Sequence, residues 1–163
     1  MNKYQKGFTL IELVTVIILL GVLSAFAISR FPSKQSYSTH IISNQIIASA
    51  RLAQQTALAR SSIDVLDHTV LTISGTANFW NLVVSDRNPI YSAQVDRGSE
   101  QVRFGTDLSA SCSALAAAPL SITFNGEGNR IPAQSLRVCI DSVTDVELCL
   151  SPSGYIYDGS CIP

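Results

Sequence analysis

The chain reads as an α+β protein, a long N-terminal helix followed by an antiparallel β-sheet domain packed against it. Three observations predict this. The 21 residues from Phe8 to Ile28 are apolar but for a few small polar residues, and hold one charge, Glu12. Behind them Ile42, Ile46, Ala50, Ala53 and Ala57 recur at three- and four-residue spacing, the pattern of a helix with one buried face. From Thr69 onward, short β-prone runs alternate with turn residues.

The apolar run is long enough to span a bilayer core as a helix. It is not an ordinary secretory signal, because no small-residue cleavage site follows it. Before it stands a short polar leader, Met1 to Gly7, carrying Lys3 and Lys6 and ending on glycine. Glu12 is the anomaly, since a charge at the centre of a spanning helix costs roughly 2.5–3.5 kcal/mol, less near an end, and normally has a partner and a task. A cut after Gly7 would leave a free amine on Phe8, four residues or one helical turn from Glu12. Pro32 lacks a backbone donor and is expected to kink or break the helix, and Gly21 is a second weak point. Ile41 and Ile47 widen the amphipathic stripe that follows, whose expected role is to pack on the chain's own sheet. If continuous from Phe8 to Ser61, the helix would be about 80 Å long.

In the β-rich part, Thr69–Ile73 and Phe79–Val84 flank Ser74–Asn78 and predict a hairpin. Arg87-Asn88-Pro89 interrupts the pattern before a strand over Ile90–Val95, and Gln101–Phe104 is a further short strand. Asp107–Pro119, rich in Ser and Ala, predicts a surface loop or a poorly formed short helix. Leu120–Phe124, Leu136–Ile140, Val146–Leu150 and Tyr155–Tyr157 form a closing series of strands. The expected divisions are a leader at 1–7, an assembly and transmembrane helix at 8–29, an amphipathic helix at 30–61 and a β-rich domain at 62–163.

Composition excludes several functions. Beyond Arg30, eight basic side chains face eleven acidic ones, which argues against nucleic-acid binding. His40 and His68 lie in no nucleophile context, so no enzyme is expected. The pairs Asp64/Asp67 and Asp141/Asp145 lack calcium-loop spacing and read as turn residues. Gly126-Glu127-Gly128 lacks the lysine and helix of a phosphate cradle. Trp80, Phe79, Tyr91, Tyr155 and Tyr157 are expected in the core, and Arg97 and Arg103 as solvated charges. Cys112, Cys139, Cys149 and Cys161 contain no CxxC pair and no nearby histidine, which argues against zinc. An even set of spaced cysteines instead predicts two disulfides in an oxidising compartment. No metal and no cofactor are expected.

Lys6-Gly7-Phe8-Thr9-Leu10-Ile11-Glu12-Leu13 before an apolar run resembles the class III signal of the type IV pilin and pseudopilin family. The resemblance implies that a membrane-bound prepilin peptidase cuts between Gly7 and Phe8 and that Phe8 becomes N-methylphenylalanine. It also implies that Glu12 pairs with the terminal amine of a neighbouring subunit during assembly. That agrees with the preference of an ion pair away from water for the one register that neutralises both charges. The alternatives are that Glu12 snorkels to the interface or pairs with its own Phe8 amine. The order of elements resembles the pilin fold, although many members carry a proline slightly before Pro32, where this chain has Ser29. Ala59-Arg60, Trp80 and Ile122-Thr123-Phe124-Asn125-Gly126 resemble the H-type branch, and the chain is also similar to minor pilins of the mannose-sensitive haemagglutinin pilus.

The function so implied is that of a minor pilin, a structural subunit that primes or joins a type IV pilus. Its partners would be the peptidase, other pilins through the N-terminal helix, and the inner membrane before assembly. The C-terminal domain would be periplasmic and later at the cell surface. The alternative is an H-type pseudopilin of type II secretion. A DNA-binding minor pilin is disfavoured, because Gly154-Tyr155-Ile156-Tyr157 lacks the arginines of that group's basic tail. For the cysteines, a hairpin centred near Thr144 would set Cys139 opposite Cys149, leaving Cys112 to Cys161. The rival, Cys149–Cys161 with Cys112–Cys139, would form the C-terminal disulfide loop common among larger pilins.

Overall fold

A computed structural model describes residues 8–27, 34–60, 68–141 and 145–162. The chain divides into two units, Met1–Ser33 and Lys34–Pro163. The first holds helix α1, Leu10–Ala27. The expected break at Pro32 lies outside the described residues.

In the second unit, helix α2 spans Lys34–Arg60. Its stripe behaves as its spacing predicts: Ile42, Ile46, Ala50, Ala53 and Ala57 are all buried, the alanines letting the sheets approach closely. Ile47 packs against the core, whereas Ile41 stays 39% exposed and does not widen the buried face. At the helix end Arg60 pairs with Asp86, a buried carboxylate that would be costly alone.

The strands are β1 (Thr69–Gly75), β2 (Phe79–Asp86), β3 (Asn88–Asp96), β4 (Gln101–Gly105), β5 (Ala116–Ala117), β6 (Leu120–Phe124), β7 (Arg130–Ile131), β8 (Leu136–Asp141), β9 (Val146–Leu150) and β10 (Ile156–Asp158). The expected hairpin is β1–β2, with Ile73 opposite Leu82. The strands form two antiparallel sheets, ordered β3-β2-β1-β6-β7 and β10-β9-β8-β4-β5. Arg87 turns directly from β2 into β3 with φ of 41°, so the interruption seen in the sequence is a tight turn. The Ser/Ala-rich stretch forms a 3-10 turn at Cys112–Ala114 and the short β5.

One core joins both sheets to α2: Leu71, Ile73, Trp80, Leu82, Ile122 and Phe124 from one, Val138, Ile140, Leu148, Leu150 and Ile156 from the other. Alternation along β1 and β2 turns every second residue inward, which is why runs such as Phe79–Asp86 bury only alternate side chains. Gln54 ties the helix to two turns, donating to Gly128 O at 3.1 Å and Ser153 O at 2.9 Å.

Candidate functional site

The N-terminal end is the first candidate. Gly7 lies outside the described residues, and Phe8 is 81% exposed. Thr9 and Glu12 face each other across the first turn of α1. The Glu12 N–H donates to Thr9 Oγ1 at 3.3 Å, while Thr9 N–H and its hydroxyl donate to Glu12 Oε2 at 3.4 and 3.3 Å. This is a reciprocal capping box, and the carboxylate also sits at the favourable end of the helix dipole. Sequence reasoning missed it although the Thr-x-x-Glu signal was present. Both bonds go to Oε2, so Oε1 is not used by the cap.

Along α1, from Leu10 to Leu23, large apolar side chains are exposed on every side. Its hydroxyls are turned back on the helix, Thr15 Oγ1 to Glu12 O at 2.9 Å and Ser24 Oγ to Gly21 O at 2.8 Å. A helix apolar all round requires an apolar environment to cover it. Among the described residues no helix is long and apolar enough to cross a membrane. The described helix has 18 residues, and the apolar run in the sequence has 21.

The second candidate is the cysteine cluster. The disulfides are Cys112–Cys139 and Cys149–Cys161, with Cα separations of 5.7 and 5.0 Å. The favoured hairpin pairing is therefore wrong. The β8–β9 register sets Cys139 opposite Glu147 and Arg137 opposite Cys149, so the two cysteines miss each other by two positions. Arg137 pairs with Glu147 and donates to Ala110 O, while Ser160 donates to Glu147 Oε2 at 3.0 Å. Two segments, β8 and the C-terminal stretch, thus converge on one carboxylate, and Arg137 ties in a third at Ala110. The hydrogen bond from Arg137, then that from Ser160, holds Glu147 below the usual carboxylate range despite partial burial. Cys112, Cys139 and Glu147 cluster like metal ligands, but the sulfurs are spent in a disulfide and offer no thiolate.

Other predicted positions fall as follows. His40 and His68 are exposed, and Asp141 pairs with Arg103 at 3.5 Å. Asp64 and Asp67 lie outside the described residues. Trp80 is core, but Arg97 stacks on it at 4.8 Å and donates to Thr76 O, so that arginine is not simply solvated. Tyr155 and Tyr157 do share a face, stacked at 6.1 Å, yet Tyr155 is 54% exposed with Arg51 at 6.0 Å. That pair is a surface feature rather than core: Tyr155 closes the turn that leads into β10, itself an edge strand.

Comparison with known proteins agrees with this picture. Residues 2–28 match the prokaryotic N-terminal methylation motif, and residues 43–154 match the family described as type II transport protein GspH. No curated protein matches the chain in sequence. The fold is similar to a crystal structure of the Pseudomonas aeruginosa type IV minor pilin FimU, at 14% identity and TM-score 0.55, over 78% of this chain and 92% of that one. A second crystal form of FimU matches at 13% identity and TM-score 0.51, over 76% and 91%. At such identity the likeness speaks for the fold alone.

Proposed function

We propose that this chain, which belongs to the type II transport protein GspH family and so to the structural subunits of pilin type rather than to enzymes, is a minor pilin of a type IV pilus. The observation that carries the reading is the methylation motif that takes in a helix whose large apolar side chains, from Leu10 to Leu23, are exposed. Prepilin peptidase would cut after Gly7 and methylate Phe8. The mature N-terminal helix would anchor the subunit in the inner membrane and then pack among other pilins, carrying its domain from the periplasm to the pilus.

Glu12 is the assembly residue in this reading. Its Oε1, unused by the cap, can receive a neighbour's terminal ammonium without breaking the bonds from Thr9. The pair would be strong because the surroundings are apolar. The second reading, a type II secretion pseudopilin, is favoured by the family's description. Deletion separates the two: a pilus subunit leaves protein secretion intact and lowers fibre number, and a pseudopilin does the reverse.

Mass spectrometry of fibre-associated protein should find an N-terminus at methylated Phe8, with Gly7→Val retaining Met1. Glu12→Ala should enter the membrane at least as well as wild type, since a costly charge is gone. Its incorporation into fibres should fall sharply. Wild-type incorporation of this variant would sink the pairing role.

A further inference from the structure

Strand β3 closes one edge of its sheet, and among the described residues nothing pairs with its outer side. Which backbone groups it offers follows from one bond. Arg97 N–H donates to Asn78 O at 2.9 Å, and bonded pairs alternate along an antiparallel ladder. Val95, Ala93 and Tyr91 therefore bond to β2. Ser92, Gln94 and Asp96 turn their N–H and C=O groups outward.

From the geometry of this edge we propose that it is a self-association surface, joining two copies antiparallel about a two-fold axis at Gln94. In that register Gln94 faces Gln94, and Ser92 of each copy faces Asp96 of the other. All three outward residues are then paired on both strands. Asp96 is the sole charged side chain of β3, and it meets a hydroxyl rather than its own copy, so no like charges oppose each other. On the core-side face, Ala93 falls opposite Val95 and forms an apolar strip across the axis. That strip runs beside a pocket of about 460 Å³ between α2 and β3, which Tyr37, Ile41 and Val95 help to line. Pro89 and the bulge between Val84 and Ser85 disrupt pairing only at the other end of β3.

The two-fold lies along the sheet normal, so it reverses the direction of α2 between copies. The contact does not depend on the pilus reading.

The test uses the full chain in detergent, in which the four native cysteines are all bridged. Gln94→Cys should shift from monomer to covalent dimer on mild oxidation, because the two sulfurs face each other. Asn88→Cys should stay monomeric, since its two copies would be about 40 Å apart in this register. Gln94→Lys sets two ammonium groups at the axis and should abolish dimers seen by cross-linking of the wild type. Unfolding temperatures matching wild type would show that the variants are folded. Equal cross-linking at positions 88 and 94, dimers that survive Gln94→Lys, or cross-linking only to a different pilin each overturn the proposal. Processing at Phe8 is independent of all three outcomes and would leave the pilus reading standing.

Discussion

Helices α1 and α2 draw on similar apolar residues and end in opposite states. In α1, the large side chains between Leu10 and Leu23 are 38–82% exposed, and the helix has no polar face to turn toward water. In α2, one stripe from Ile42 to Ala57 is at most 1% exposed, and the polar residues occupy the remaining surface. The second helix is completed by its own chain; the first is not completed among the described residues, and in the reading proposed above a bilayer or other subunits complete it. A substitution should therefore register in folding when made in one unit, and in anchoring or assembly when made in the other.

The largest expected effect breaks the closed unit. Phe124 is fully buried between α2 and the sheets, and Phe124→Ala should cost about 3–5 kcal/mol by leaving a cavity. Trp80, the sole tryptophan and itself in the core, reports the transition by fluorescence in urea. The matching change in α1, Leu19→Ala, should leave that midpoint within about 0.5 kcal/mol of wild type. Equal losses from the two changes would end the comparison.

A second, smaller effect concerns what else holds the closed unit. Replacing Cys112 and Cys139 by serine removes the bridge with the wider sequence separation, 27 residues against 12. The loss should be on the order of 3 kcal/mol, and about 0.7 kcal/mol more than for Cys149 and Cys161 on chain-entropy grounds. Melting curves of the two double variants test the order, and a non-reduced peptide map should join Cys149 to Cys161.

The smallest effect is in pH dependence. Glu147 titrates below its ordinary value of 4.5, so the stability it contributes is complete above that pH and fades as pH falls through the lowered value. Urea midpoints of wild type should drop more steeply below pH 4.5 than those of Glu147→Gln. Parallel curves would remove Glu147 from the account.

Much of this was legible beforehand where a local rule decides. The 3.6-residue stripe of α2 and the β-prone runs of β1, β2, β6, β8 and β9 each answer to their own residues. So does the peculiarity of Glu12 in an apolar run. What escaped was set by register or by distant partners. The disulfide pairing hinged on the register of β8 against β9. The division into two sheets depends on which strands α2 brings together, and no single strand carries that information. The exposure of Tyr155 follows from its place at the end of the turn before β10, while its alternation with Tyr157 reads the same in a core. The capping box at Thr9 is different, since its signal stood in the sequence and was overlooked beside the charge itself.

The order in which the chain visits its two sheets has a further consequence. It lays down β1 to β3 in one, moves to the other for β4 and β5, returns for β6 and β7, and finishes with β8 to β10. The central strand β1 thus waits for β6, some fifty residues later in the sequence, before both its edges are covered. A chain emerging N-terminus first from any channel displays an apolar meander with a bare edge until Leu120 has appeared. Contacts this distant delay folding, because the loop must close before they form. Neither half can be finished early, so the fold is completed only once nearly the whole polypeptide has come through. Whatever shields the emerging segment must stay with it for that interval.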